Sequence, residues 1–400
     1  MSQAAELAYG AAAYPDGQRT VVARSADRVV DLGRWAAQSA ETPTAIRQAL
    51  SGSDLGPLLS SGRPTWEAVH HAVGELLASG GGPDAGEVRS VMPFEVADFV
   101  DFYASRHHTE NVGRIFRPSS PPLPEAWLSI PIGYHGRAGS VVVSGTPVRR
   151  PHGVIRGAAG PVFAPSAKLD VEAEIGFVVG TPSVLGEPVA VEDFQDHVFG
   201  VCVVNDWSAR DVQSFEYVPL GPFLGKSFAT TISAWVTPLP VLEQARVPAA
   251  GDELPGPATY LQGAPRWGLD IGLEVEVNGE VLSRPSYAHM HWSAPQMLAH
   301  LTVNGAPLRS GDLYASGTVS GPTAAEYGSL LELSHDATRP LTTSFGPRGY
   351  LADSDEVVIR AWARRSDGIE IPLHEAAGTV LAACPASIGA AAEATMSRSS

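Results

Sequence analysis

Cysteine is nearly absent from this chain of 400 residues: Cys202 and Cys384 are the only two, far apart. Two cysteines make no disulfide framework, and they read as two small buried residues in a reducing compartment. Basic residues are scarce as well. Lys and Arg number 27 against 43 Asp and Glu, a net charge of −16. That balance excludes the basic surface that nucleic acid and anionic membranes require, while a few local cations still suit a small anionic substrate. No apolar run approaches the roughly 18 residues of a membrane-crossing helix. The opening MSQAAELAYG has no charged segment followed by an apolar one, so no signal peptide and a cytoplasmic location are expected. Cys and His at zinc-site spacing are missing too.

What the chain does have is turn residues and short apolar runs. Gly 41 and Pro 33 are scattered along its length and mark many turns. Residues 18–32 alternate around a polar turn and predict a hairpin. Residues 41–50 and 64–80 carry helical spacing, with Trp66, Val69, Val73 and Leu76 on one face. Gly-Gly-Gly-Pro at 80–83 ends the second helix. Further on, apolar β-branched runs at 139–145, 171–180, 199–206, 269–283, 328–335 and 355–362 predict strands, and helical spacing returns only at about 292–301. An Ala/Ser-rich tail at 385–400 is expected to fray. The pattern predicts a mainly β (α+β) chain, with a small N-terminal domain at 1–90 and a larger β domain at 91–400.

Several charges sit where charge is costly. Glu172 and Glu174 lie two apart in LDVEAEIGFVVG, and period-two geometry puts both on one face of a strand. Neighbouring carboxylates repel unless a cation lies between them, a task that suits a hard divalent ion with oxygen ligands. The apolar run Val201–Asp206 ends in a carboxylate, and its Asn205-Asp206 equally suits a turn or a helix cap. With Asp101 these make four candidate oxygen ligands, a set that favours Mg²⁺ or Ca²⁺ over zinc. Arg210 and Gln213, three apart, share a face of a short helix, and Lys226 stands between Leu224 and Phe228. Beside a metal such donors would stabilise an oxyanion or enolate, and singly each equally suits a solvated surface. Of the adjacent His107 and His108 only one can face a given pocket. A histidine base needs an orienting carboxylate, and Glu332, in the apolar run Leu330-Leu-Glu-Leu333 read as a strand, is the candidate. Spacing alone does not pair residues so distant.

Taken together, five segments settle more than any one of them. DFYASRHHTENVG (101–113), IPIGYHGRAGSVVVSGTPVRRP (130–151), LDVEAEIGFVVG (169–180), NDWSARDVQSFEYVPLGPFLGKSFATT (205–231), and SGTVSGP with GSLLEL (316–333) resemble, in that order, the fumarylacetoacetase family. The resemblance spans essentially the whole chain and is strongest from 93 to 333. It implies a small SH3-like N-terminal β-barrel followed by a mixed β-roll catalytic domain, working as a homodimer with Mg²⁺ and/or Ca²⁺. It implies Asp101, Glu172, Glu174 and Asp206 as metal ligands, with Lys226 and Thr230 at a neighbouring or overlapping cation position. His108 would be the base, oriented by Glu332, and Arg210, Gln213 and Lys226 would stabilise a carbanion. Tyr103, Arg117, Tyr134, Gln213, Tyr217 and Thr318 would contact the substrate, a small diketo dicarboxylic acid. The family reaction hydrolyses a carbon–carbon bond of 4-fumarylacetoacetate to give fumarate and acetoacetate, the last step of tyrosine and phenylalanine breakdown. Related acylpyruvate hydrolases and hydroxymuconate-type isomerases share part of the motif set. The chain departs from the pattern in its N-terminal region, at Ala229, where a glycine is expected beside Thr230, and at the divergent 373–378. His107 receives no role.

Overall fold

The computed structural model describes residues 6–39, 41–250, 256–262 and 266–385; the expected fraying of 386–400 lies outside the described residues. The polar turn near residue 26 closes the expected hairpin, Arg19–Ser25 against Arg28–Asp31, with Ala26 at positive φ. The helical spacing folds as Thr44–Ala49 and Arg63–Ala78, and the longer helix buries Trp66, Val69, Val73 and Leu77.

Strands dominate the rest, as the alternation predicts. One sheet has twelve strands, its main path running Arg28–Asp31, Arg19–Ser25, Ala8–Ala13, Trp235–Pro238, Val198–Asp206, Ala173–Val179, Leu313–Ala315, Phe99–Phe102 and Gly133–His135. Thr230–Ile232 branches from Val198–Asp206 and pairs on its other side with Val141–Val143. A second sheet has five strands and is built on the long ribbon Glu356–Arg364 against Glu370–Leu381. The core sits on the large sheet; every residue of the nine in Val198–Asp206 is buried.

Three expectations meet the structure. First, the mainly β expectation is met by mixed sheets, and the pairings of the twelve-stranded sheet trace no closed ring among the described residues. At Gly10 two strands approach closely: a Cβ there would meet the Ala234 carbonyl oxygen at 2.7 Å and the Trp235 ring at 2.9 Å. The bare backbone lets Ala8–Ala13 pair with Trp235–Pro238, carrying one sheet across the boundary expected at residue 90. Second, the run at 328–335 is not a strand: Leu330–Leu333 forms one helical turn with Ser329 as its N-cap. A short apolar run does not distinguish helix from strand, and local capping decided it. Third, Cys202 is buried but Cys384, beyond the last strand, is exposed, and both are free thiols.

The register gathers the polar residues at one place. Asp101 faces Ala315 on one side and Tyr134 on the other. Glu174 faces Val204, and Asp206 faces Thr230. Strand ends that are far apart in sequence therefore meet at the middle of the large sheet.

Candidate active site

The acids come first, because burying them is expensive. Asp101, Glu172 and Glu174 are all buried, and one carboxylate oxygen from each lies within 4.8 Å of the others. Glu174 sits inside the strand Ala173–Val179, while Glu172 precedes it and bridges to Ser329. Both oxygens of Glu174 and Oδ1 of Asp101 find no hydrogen-bond donor among the described residues. Burial and the neighbouring acids raise both carboxyls against the lowering pull of Lys226: Asp101 by burial and then Asp206, Glu174 by burial and then Asp101. An unpaired buried carboxylate costs several kcal/mol, and a divalent cation bound among these oxygens removes that cost. The donor set is all oxygen, so the residues fit Mg²⁺ or Ca²⁺.

Asp206 lies beside this group with its oxygens occupied. Tyr134 donates its hydroxyl at 2.7 Å and Lys226 Nζ lies 2.8 Å away, both on Oδ2, and Thr230 Oγ1 donates to Oδ1 at 2.6 Å. Lys226 also binds Glu172 Oε2. Burial pulls the Lys226 ammonium downward, but Asp206 and Glu172 outweigh it and hold it above the usual lysine range, so the group stays charged. Lys226 is thus an internal counter-ion, and Thr230 reaches the acid group through Asp206. Arg210 Nη2 donates to Glu172 Oε1 at 2.7 Å, and its Nη1 to Gln213 Oε1 at 3.1 Å. Arg210 and Gln213 share one face of the helix Arg210–Glu216, and the Gln213 carbonyl is taken by that contact.

The histidine pair is resolved by helix geometry. Ser105 caps the helix Arg106–Phe116, and His108 faces inward while His107 points to His289 on the other side. His108 Nδ1 lies 2.7 Å from Glu332 Oε2. Its Nε2 lies 3.8 Å from Glu172 Oε1. Glu332 also accepts from Asn111 Nδ2 at 2.9 Å, Ser320 Oγ at 2.9 Å and Ser329 Oγ at 2.8 Å. Burial alone would raise its carboxyl, but His108 and these donors hold it below the usual range. It is therefore ionised near neutral pH, and His108 carries its proton on Nδ1.

These groups open on a cavity of about 310 Å³. Of the six residues expected to contact substrate, all line it: Tyr103, Arg117, Tyr134, Gln213, Tyr217 and Thr318. Burial raises the phenols of Tyr103 and Tyr134, which stay protonated donors. Thr318 Oγ1 is buried without a hydrogen-bond partner among the described residues. His108, Glu172, Asp101, Arg210 and Lys226 form the floor, and Glu174, Asp206, Thr230 and Glu332 stand behind it. Sequence reasoning missed Asp170, Asn111, Ser320 and Ser329. Asn111 was three residues from His108, the spacing of a shared helix face, and Asp170 extends the two-residue alternation of Glu172 and Glu174.

Residues 98–378 match the family model described as fumarylacetoacetate hydrolase, C-terminal. Among curated relatives, human fumarylacetoacetase is 45% identical over 301 residues, covering 73% of this chain and 71% of the relative. Rice fumarylacetoacetase is 38% identical over 352 residues, covering 83% and 82%. The solved fumarylacetoacetate hydrolase of Exiguobacterium antarcticum superposes with a TM-score of 0.58 at 19% identity, over 94% of this chain and 99% of that one, a likeness of fold. The chain belongs to the fumarylacetoacetate hydrolase family and is a hydrolase of the fumarylacetoacetase type.

Proposed function

We propose that this chain hydrolyses 4-fumarylacetoacetate to fumarate and acetoacetate, the closing step of tyrosine and phenylalanine catabolism, by a metal-dependent route in which a His–Glu pair activates water. The observation that carries the reading is His108 at the cavity floor, its Nδ1 held by ionised Glu332 and its Nε2 left for a proton from water. In this scheme Nε2 takes that proton and the hydroxide adds to the attacked keto carbon. Glu332 stabilises the imidazolium that forms. The bond to the neighbouring carbon then breaks, and its electron pair passes into the enolate of the acetoacetate half. Lys226 and Arg210, both charged and buried, and Gln213 face that developing charge. The imidazolium returns its proton to the enolate carbon, so atoms and charge balance. Arg117 and the phenols of Tyr103, Tyr134 and Tyr217, with Thr318, orient the two carboxylate ends.

Asp101, Glu172, Glu174 and Asp206 would hold Mg²⁺ or Ca²⁺, with Lys226 and Thr230 fixing Asp206 at a neighbouring position. Bound there, such an ion would supply Lewis-acid polarisation of the substrate's carbonyls. A homodimer is part of the reading. It is supported by an apolar rim around the helix Arg210–Glu216: Leu220 is 97% exposed and Phe223 68%, and Phe163 adds another half-exposed ring.

The test is loss of fumarylacetoacetate absorbance with purified protein, before and after chelation and with each metal added back. Acylpyruvates are assayed alongside. Turnover of fumarylacetoacetate that vanishes on chelation and returns with metal is expected; turnover of acylpyruvates alone refutes the substrate assignment.

A further inference from the structure

Asp170 is absent from the functional set that the family resemblance supplies, yet it is fully buried with four donors on its two oxygens. Oδ1 accepts from the N–H groups of Val171 and Leu330, each at 2.8 Å. Oδ2 accepts from Leu331 N at 3.1 Å and from Arg210 Nε at 2.8 Å. One carboxylate thus binds the first two amides of the helix Leu330–Leu333, which carries Glu332, and also the guanidinium that reaches Glu172.

Two residues earlier, Lys168 Nζ binds Asp336 Oδ1 at 2.7 Å, just past the other end of that helix. There His335, Asp336 and Ala337 take φ of 49°, 55° and 62°, a left-handed run without glycine that persists only where neighbours hold it. Tyr350 donates to the same Asp336 oxygen at 2.6 Å. Residues 168–170 therefore grip the helix at both ends. One turn of helix has no stability of its own, so the direction in which Glu332 points depends on this grip.

We propose that Asp170 is a positioning residue: it sets Glu332, and through it His108, and keeps Arg210 in register with them. Its kinetic consequences rest on the function proposed above. In Asp170→Asn the amide nitrogen must face an N–H donor whichever way it turns, so either the helix amides or Arg210 lose their acceptor. The expected result is a kcat lower by about 10- to 100-fold, with KM for fumarylacetoacetate within about threefold and metal content unchanged. Combined with Glu332→Gln, the Asp170 substitution adds less than about threefold, because both act on one histidine. Two losses that multiply in full overturn the proposal, as does a folded Asp170→Asn enzyme with unchanged kcat.

A second measurement needs no substrate. In ¹⁵N-histidine-labelled protein, the Nδ1 proton of His108, identified by its loss in His108→Asn, is expected to shift or exchange away in Asp170→Asn; an unmoved resonance overturns the proposal. A wild-type protein that leaves fumarylacetoacetate intact sinks the proposed activity and leaves this readout standing. Should Asp170→Asn not fold, Lys168→Met decides instead, since that side chain is 37% exposed. Its kcat should fall several-fold at steady KM with the same resonance moved, and no change in either refutes the grip.

Discussion

Replacing Glu332 by glutamine changes one oxygen for one NH₂ and tests the proposed water-activating pair directly. Glu332 accepts from His108, Asn111, Ser320 and Ser329 at 2.7 to 2.9 Å. A glutamine brings two N–H groups into a site made of donors, so at least one of those contacts turns repulsive. It also removes the negative charge that steadies the imidazolium and fixes the proton on Nδ1. The same swap beside the catalytic histidine of serine proteases costs about 10⁴ in kcat through the wrong tautomer. Here Glu332 has four partners that resist rotation, so a loss of about 10³ to 10⁴ is expected, or roughly 4 to 5.5 kcal/mol of barrier. The folded state should lose about 1.5 to 3 kcal/mol from a weakened charge-assisted bond. A thermal midpoint lower by a few degrees would record that loss. KM and metal content should stay near wild type, because Glu332 stands behind the cavity floor. The assay is initial rate at saturating fumarylacetoacetate with elemental analysis of the same sample. A kcat within about tenfold of wild type at normal metal content would refute the reasoning.

Glu174→Gln should lose bound metal, since both Glu174 oxygens lack any donor and the swap removes the charge that an ion would balance; unchanged stoichiometry by elemental analysis takes Glu174 out of the ligand set. The carboxyls of Asp101 and Glu174 are raised in the folded chain, so in metal-free protein their contribution favours folding in acid and is lost as pH rises through the raised values. The gain in thermal midpoint on adding Mg²⁺ or Ca²⁺ should therefore widen from pH 5 towards pH 8, above the range of roughly pH 4 where Glu172 and Glu332 act in the opposite sense. A gain that stays constant across that window contradicts the assignment of these two acids. Leu220→Asp places a charge on the most exposed apolar side chain of the rim and should convert the proposed dimer to monomer by sedimentation; a dimer of undiminished affinity shows that the contact lies elsewhere.

Much of the site was legible because strands report themselves. The apolar run ending at Asp206 and the alternation around Glu174 placed those acids correctly on strands, since buried strands leave little choice of register. The partner of His108 was suggested by type and by family likeness, because 224 residues separate the pair and no periodicity spans that distance. The secondary structure around Glu332 was misread for a related reason. Its helix is capped locally by Ser329 but also held by Asp170 from another part of the chain, and that second constraint cannot be read from the apolar run. The close approach of Gly10 to Trp235, which joins Ala8–Ala13 to the large sheet, was not legible, because the contact lies more than two hundred positions along the chain. Lys226 was readable as an odd cation, but that it binds two of the acids became visible only in three dimensions.

The pairing of Ala8–Ala13 with Trp235–Pro238 bears on how this enzyme is handled at the bench. The family model begins at residue 98, which invites expression of a fragment from there. Such a fragment would strip a neighbour from Trp235–Pro238 and leave its backbone groups as an adhesive edge for other copies. It would also uncover Phe199, which packs on Tyr9 and Trp66, and Gly180, which lies directly against the Trp66 ring. The segment that catalysis-minded alignment would cut away is, mechanically, part of the wall on which the catalytic strands are hung, and any expressed form of the chain should keep it.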